Sequence, residues 1–265
     1  MIPIIKWELW QRRVSLMWWT IGIVATNAIS LAFYPAFRDQ SAALNQTFAQ
    51  LPKSALALLS DSSDFLSPEG YLSSKVFYLV LPIMFTILAI SIGSSLIGRE
   101  EKEGTIELLL SRPISRTTLL LGKGLAGLIA MSIVGLATIA AIAGQSWLLN
   151  IEVPATNMAL ATLAAFLLGL SFGALAFFIT MFGRARTASV GIASLYALGG
   201  YLIASFISSA AWLKYPAKAF PFVYYKPSEV MRGTYNWNNL IFILGVSIIC
   251  AIASWIVFRR RDITS

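Results

Sequence analysis

Long stretches without a charged side chain alternate with short, charge-dense connectors along this chain. The charge-free runs are Val14–Phe37, Val76–Gly98, Gly124–Ile151, Val153–Gly183, Thr187–Leu213 and Gly233–Phe258. Each exceeds the ~20 residues a helix needs to cross ~30 Å of hydrocarbon. Apolar positions within them are continuous rather than alternating, which excludes a membrane barrel and leaves helices to satisfy the backbone in lipid. The pattern predicts an all-α membrane protein of six transmembrane helices, at about 15–36, 76–98, 119–144, 156–182, 188–211 and 239–258. It forms a single membrane domain over 1–265, with no soluble domain and no convincing internal repeat.

The connectors add detail. Ahead of the first span, Ile4–Arg13 carries Lys6, Trp7, Trp10, Arg12 and Arg13, which predicts a short interfacial N-terminal helix. On a helical wheel Trp7, Trp10 and Val14 share a face opposite Glu8 and Arg12. The segment is either an aromatic and basic anchor or a surface helix that also touches a cytosolic partner. The run after it is too long for a signal core and lacks a small-x-small cleavage site, so a retained signal-anchor is expected. Residues 38–74 form a loop too long to be featureless. Asn45–Leu51 and Ser54–Leu59 read as short helices there, with Pro52 opening the second. Asp61, Asp64 and Glu69 lack calcium-loop spacing and read as solvated. Pro82 falls inside the second span and predicts a kink.

Composition supports this picture: 57% of residues are hydrophobic and only 12% charged. With the N-terminus in the cytoplasm, Arg38, Lys53, Lys75, Lys214, Lys218, Lys226 and Arg232 fall outside, and the other thirteen Lys and Arg fall inside. The bias places both termini in the cytoplasm and the protein in the cell membrane. It also accounts for the net charge of +8 through anionic inner-leaflet lipid, so membrane lipids are expected partners. Nucleic acid is not, because no basic patch is interleaved with exposed aromatics. The lone Cys250 excludes an intrachain disulfide.

Candidate chemistry is sparse. None of the six runs contains Lys, Arg, Asp or Glu, and the chain has no histidine. Proton relays are normally built from intramembrane ionisable groups, so a proton-coupled secondary transporter is disfavoured. Ser-His and metal-His hydrolysis are excluded, and a Ser-Lys dyad would have only Lys123 near membrane depth. Gly122-Lys123-Gly124 superficially suggests a P-loop, but Thr117 and Gly124 stand where the motif needs Gly and Ser or Thr. No catalytic, cofactor or metal residue is assigned. Gly169 and Gly173 form a GxxxG suited to close helix packing, within or between subunits.

The densest charged connector is GREEKEGTIELLLSRPISRTTLLLGK, residues 98–123. Gly104-Thr105 supplies a break and an N-cap, Glu107 suits a first helical turn, and Ile106, Leu108, Leu109 and Leu110 give an apolar surface. Ser111-Arg112-Pro113 stops that helix and Ser115 caps the next. Such a segment is either a surface helix that transmits force between a soluble partner and two spans, or a solvated loop.

This run resembles the signature between spans two and three of the membrane subunits of ABC transporters of the second exporter type (the ABC type-2 permeases). Weaker likenesses lie at SPEGYL (67–72), FPFVYYKPSEVMRG (220–233) and FRRRDI (258–263). The resemblance implies an export permease that forms the translocation path, dimerises with a second permease subunit (the same chain or another), and works with two cytosolic ABC ATPase subunits. ATP and Mg would then be bound by the ATPases, with no cofactor in this chain. It places a cytoplasmic coupling helix at about Thr105–Leu110. The ATPase-coupling residues it implies are Glu100, Glu101, Gly104, Thr105, Ile106, Glu107, Leu108, Leu109, Arg112, Pro113, Ser115 and Arg116. A second cytoplasmic contact falls at Arg184 and Arg186, and an external re-entrant lid between spans five and six at Pro221, Tyr224, Tyr225 and Lys226. A membrane anchor of a sensing or maturation complex without conventional export is the alternative, and an ATP-independent secondary transporter a weaker one.

Overall fold

The computed structural model describes residues 1–39, 50, 52–58, 60, 67–105, 114–151, 153–183, 186–207 and 210–261. Among them no strand occurs, and six helices are long and apolar enough to cross a membrane. They are α1 (Ile2–Ala32), α2 (Leu81–Lys102), α3 (Arg116–Leu148), α4 (Ala155–Thr180), α5 (Arg186–Phe206) and α6 (Asn238–Arg260). α4 is the central post, packed against α2, α3, α5 and α6, while α1 lies outermost against α3.

Small residues set the tightest crossing. A Cβ on Gly93 of α2 would sit 2.2 Å from the Gly173 carbonyl oxygen of α4, and one on Gly169 2.8 Å from the Phe85 carbonyl carbon. The GxxxG is therefore consumed inside the chain, where it brings two backbones into contact.

The second span is composite. Pro68–Leu72 is helical, capped by the Ser67 hydroxyl accepting from the Gly70 amide at 3.0 Å, and Ser73–Val80 is a π-helical stretch running into α2. In π register the Phe77 carbonyl would accept from the nitrogen of residue 82, which is proline and has no hydrogen. The widened turn is the structural response to Pro82.

Two sequence expectations are corrected here. The N-terminal interfacial segment is not a separate element: α1 runs unbroken from Ile2, because no Gly or Pro falls within Ile4–Ile21 and Arg12 bonds Glu8 one turn away. Its Trp7, Trp10 and Val14 face does point outward, and Glu8 faces the protein. The fifth span ends at Phe206, short of 211, since the chain then breaks into short turns at Ala211–Leu213, Lys214–Ala217, Pro221–Tyr224 and Pro227–Met231. Helix opens after Pro52 as expected, at Lys53–Ala57. Residues 45–49, Leu51 and Leu59 lie outside the described residues.

The helices alternate in direction. Ile4 packs on Gly122, Lys123 reaches Glu8 and Glu100, Arg186 approaches Gly98, and Arg261 reaches Glu101 and Met181. One end of the bundle, the basic end, thus gathers the starts of α1, α3 and α5 and the finishes of α2, α4 and α6.

Candidate functional site

Four ionisable side chains from three helices converge at the basic end. Arg12 donates to Glu8 Oε1 through Nε (2.9 Å) and Nη2 (2.6 Å), and through Nη1 to Ser95 Oγ on α2 (2.8 Å). Lys123 on α3 donates to Glu8 Oε2 at 3.2 Å and to Glu100 Oε1 on α2. Glu8 is 1% exposed, Lys123 3% and Glu100 7%. Two carboxylates and two cations balance, which is the condition for keeping charge in a low-dielectric setting. Glu100 Oε2 has no partner among the described residues. Lys123 thereby bridges two carboxylates on different helices.

A second set of bonds closes the same end around Arg261. Its Nη1 donates to Glu101 Oε1 (2.6 Å) and to the Met181 carbonyl (3.3 Å), while its own carbonyl accepts from Arg116 Nη1 (2.6 Å). The guanidinium lies over the turn after α4, where Gly183 has φ +71° and a Cβ would come within 2.5 Å of Nη2. Backbone strain disfavours any side chain there, and the Arg261 guanidinium would have to shift to admit one.

Around the 98–123 connector the break at Gly104 and the Ser115 cap are present, while the Thr105 hydroxyl bonds back to the Glu100 carbonyl and the helix it was expected to cap lies outside the described residues. α2 ends in a Schellman arrangement: the Thr105 amide bonds the Glu100 carbonyl (2.9 Å), the Gly104 amide bonds the Glu101 carbonyl (3.3 Å), and Gly104 has φ +67°. Ser115 caps α3, its hydroxyl accepting from the Thr118 amide at 3.1 Å. Ile106, Glu107, Leu108, Leu109, Arg112, Pro113 and Arg184 lie outside the described residues. Glu101 and Arg186 line one groove of about 630 Å³, together with Gly98, Lys102, Gly183 and Thr187. The structure therefore brings the flank of the first candidate contact against the second.

At the opposite end, the residues read as a lid fold back onto the bundle. The Tyr225 hydroxyl donates to the Phe77 carbonyl at 2.5 Å, satisfying the acceptor that Pro82 leaves free. Tyr224 stacks on Phe242 with centroids 4.1 Å apart, and its carbonyl accepts from the Tyr235 hydroxyl at 2.7 Å. Burial, assisted by nearby Glu229, pushes the Tyr235 phenol above its ordinary range, so it stays a donor. Pro221 opens the short turn before Tyr224 and is buried. Lys226, itself exposed, pairs with half-buried Glu229 at 2.8 Å.

Sequence reading missed the inward roles of Glu8 and Arg261. A carboxylate one turn from Arg12 on the face opposite two tryptophans was the available signal for Glu8; nothing local marks Arg261.

The arrangement defines a multi-pass membrane protein whose buried ion pairs, among the described residues, brace one end of a helical bundle. Over residues 2–263 the chain matches the family described as ABC-2 family transporter protein, and it belongs to that family. It is an ABC transporter permease of the cell membrane, a transport component and not itself an enzyme, of a family that associates with ABC ATPases. No curated protein matches it.

Proposed function

We propose that this chain is the permease subunit of an ATP-driven export system, with the basic end in the cytoplasm and the Lys214–Trp237 segment as an external lid. It acts as one permease domain over 1–265, paired with a second permease subunit and two cytosolic ATPases that bind ATP and Mg. The observation that carries this is the convergence at one end of Glu101, Arg186 and the Gly104 turn, immediately before the 106–113 stretch. Glu100 and Glu101 stand on the last turn of α2 and are tied to α1, α3 and the end of α6. Force delivered by an ATPase at 105–110 would reach four helices through these ion pairs without a flexible intermediary.

Leu108→Asp and Leu109→Asp test the coupling contact, because apolar anchors dominate such interfaces and rim charges contribute little. Both variants should lose ATPase co-purification or substrate-stimulated hydrolysis while inserting normally. Glu107→Ala should do less. Unchanged binding and coupling in both aspartate variants would reduce the segment to a connector. The cargo class, amphiphilic drug, peptide, lipid or glycan, is to be read from transport by the purified complex in vesicles. A complex that hydrolyses ATP but moves none of them would favour the anchor of a sensing or maturation assembly.

A further inference from the structure

Helices α2, α3, α4 and α6 line an open-sided cavity of about 370 Å³ in the half of the bundle nearer the basic end. Its walls are apolar, with Ile92, Leu96, Met131, Phe177 and Ile248 among them. The hydroxyl in the lining, that of Ser247, already donates to the Ile243 carbonyl at 3.2 Å. Room comes from glycine: a Cβ built on Gly124 meets nothing within 4 Å, so that wall is open. An apolar space of this size between helices belongs to the ~300–1,000 Å³ range of ligand sites.

What fills it is indicated at its end. Trp255 borders this cavity and also a second one lined by Ile256, Arg259 and Arg260. The indole N–H donates to Thr117 Oγ1 at 3.3 Å and the Arg259 guanidinium lies 4.8 Å over the ring, so Trp255 is a fixed partition between an oily and a cationic compartment. Arg259 and Arg260 are exposed and have no acidic partner among the described residues, unlike Arg261 beside them. From Ile248 to Arg259 the helix rises about 16 Å at ~1.5 Å per residue, close to the depth of one leaflet of a ~30 Å core.

We propose that this groove holds one acyl chain of an anionic phospholipid from the leaflet at the basic end, with its phosphate on Arg259 and Arg260. The tail occupies the apolar cavity beside Gly124, and Trp255 sits at the level where chain gives way to headgroup. The site is separate from the coupling contact and stands whether or not that contact is as proposed.

The test is native mass spectrometry of the full chain released from nanodiscs of phosphatidylglycerol or of phosphatidylcholine. Wild type should retain one phosphatidylglycerol and prefer it over phosphatidylcholine by roughly 10- to 30-fold, as two basic residues at a membrane surface would give. Gly124→Leu and Ala251→Phe, which fill the groove from two walls, should each remove the retained lipid. Arg259→Gln with Arg260→Gln should abolish the headgroup preference, and the corresponding lysine pair should keep it. Glycerol 3-phosphate, the head anion without a tail, should displace nothing. Thermal melting of each variant checks folding, and if one filled variant fails to fold the other carries the result. Equal retention of both lipids overturns the proposal. So does undiminished retention in a folded filled variant, which would leave only a surface contact to the arginines. Loss in the filled variants with the glutamine pair unaffected would identify an uncharged occupant and equally refute an anionic lipid.

Discussion

Removing Lys123 should damage this protein more than removing any exposed cation, and the structure says by how much. Its ammonium bridges Glu8 Oε2 and Glu100 Oε1, and all three side chains are almost wholly buried. Lys123→Met keeps much of the volume but leaves two carboxylates facing one cation, Arg12, which contacts only Glu8 among the two. Glu100, with Oε2 already unpartnered, would then hold no ion pair among the described residues. Breaking a buried pair from one side costs about 3–5 kcal/mol, mostly as the uncompensated charge left behind. Adding Glu100→Gln to Lys123→Met removes that stranded charge and should recover a large part of the loss. The coupling read from the four-member cycle should then be of order 1–3 kcal/mol and opposite in sign to simple additivity. Unfolding in mixed micelles, monitored by helical circular dichroism against denaturant, measures all four members. A Lys123→Met variant within about 0.5 kcal/mol of wild type, the range of ordinary surface changes, would refute the reasoning.

Three further outcomes follow from other parts of the structure. Tyr225→Phe deletes the donor to the Phe77 carbonyl, and the orphaned acceptor should cost about 1–3 kcal/mol in the same assay, whereas Tyr224→Phe, whose hydroxyl bonds the exposed end of the lid at Lys218, should cost less. Gly93→Ala puts a methyl 2.2 Å from the Gly173 carbonyl oxygen and should destabilise by about 1–3 kcal/mol or prevent folding, while Gly144→Ala, which meets nothing within 4 Å, should be neutral or mildly stabilising. Single cysteines at 55 and 152 should label from outside the cell and one at 108 only from the cytoplasm; cytoplasmic labelling at 55 would invert the proposed orientation.

The spans were legible because lipid imposes one rule on every residue in them: no charge and no break. That rule is local and cumulative, so six apolar runs sufficed. End points were less legible where a competing local signal was weak. Lys6, Trp7, Trp10, Arg12 and Arg13 read as an interfacial segment ahead of the first span, yet nothing in Ile4–Val14 stops a helix, and the partners that let Glu8 and Arg12 enter the protein lie 83 to 115 residues away. Gly122-Lys123-Gly124 shows the same limit. As sequence it is a failed phosphate loop; in the fold its three residues have three unrelated tasks, a seat for Ile4, a counter-ion for two carboxylates and an opening onto the apolar cavity. Tertiary partners, which no window along the chain contains, assign those tasks.

The charge-free runs at the centre of the bundle and the gathering of buried ion pairs at one end are two aspects of one design. A permease driven by a soluble motor needs no charge relay in its core, but it does need its motor contact to move several helices together. Gly104, at φ +67°, ends α2 abruptly in a capped turn. Glu100 and Glu101, on the turn just before, point to different partners: one to α1 and α3 through Lys123, the other to the ends of α4 and α6 through Arg261. A neutral pair of glutamines there would preserve the shape of the turn but not its grip on both sides. Glu100→Gln with Glu101→Gln should accordingly retain ATPase binding, which the proposed contact puts beyond Gly104, while lowering substrate-stimulated hydrolysis. Full coupling in that double variant would mean that packing at Gly93–Gly173, not the ion pairs, carries the stroke.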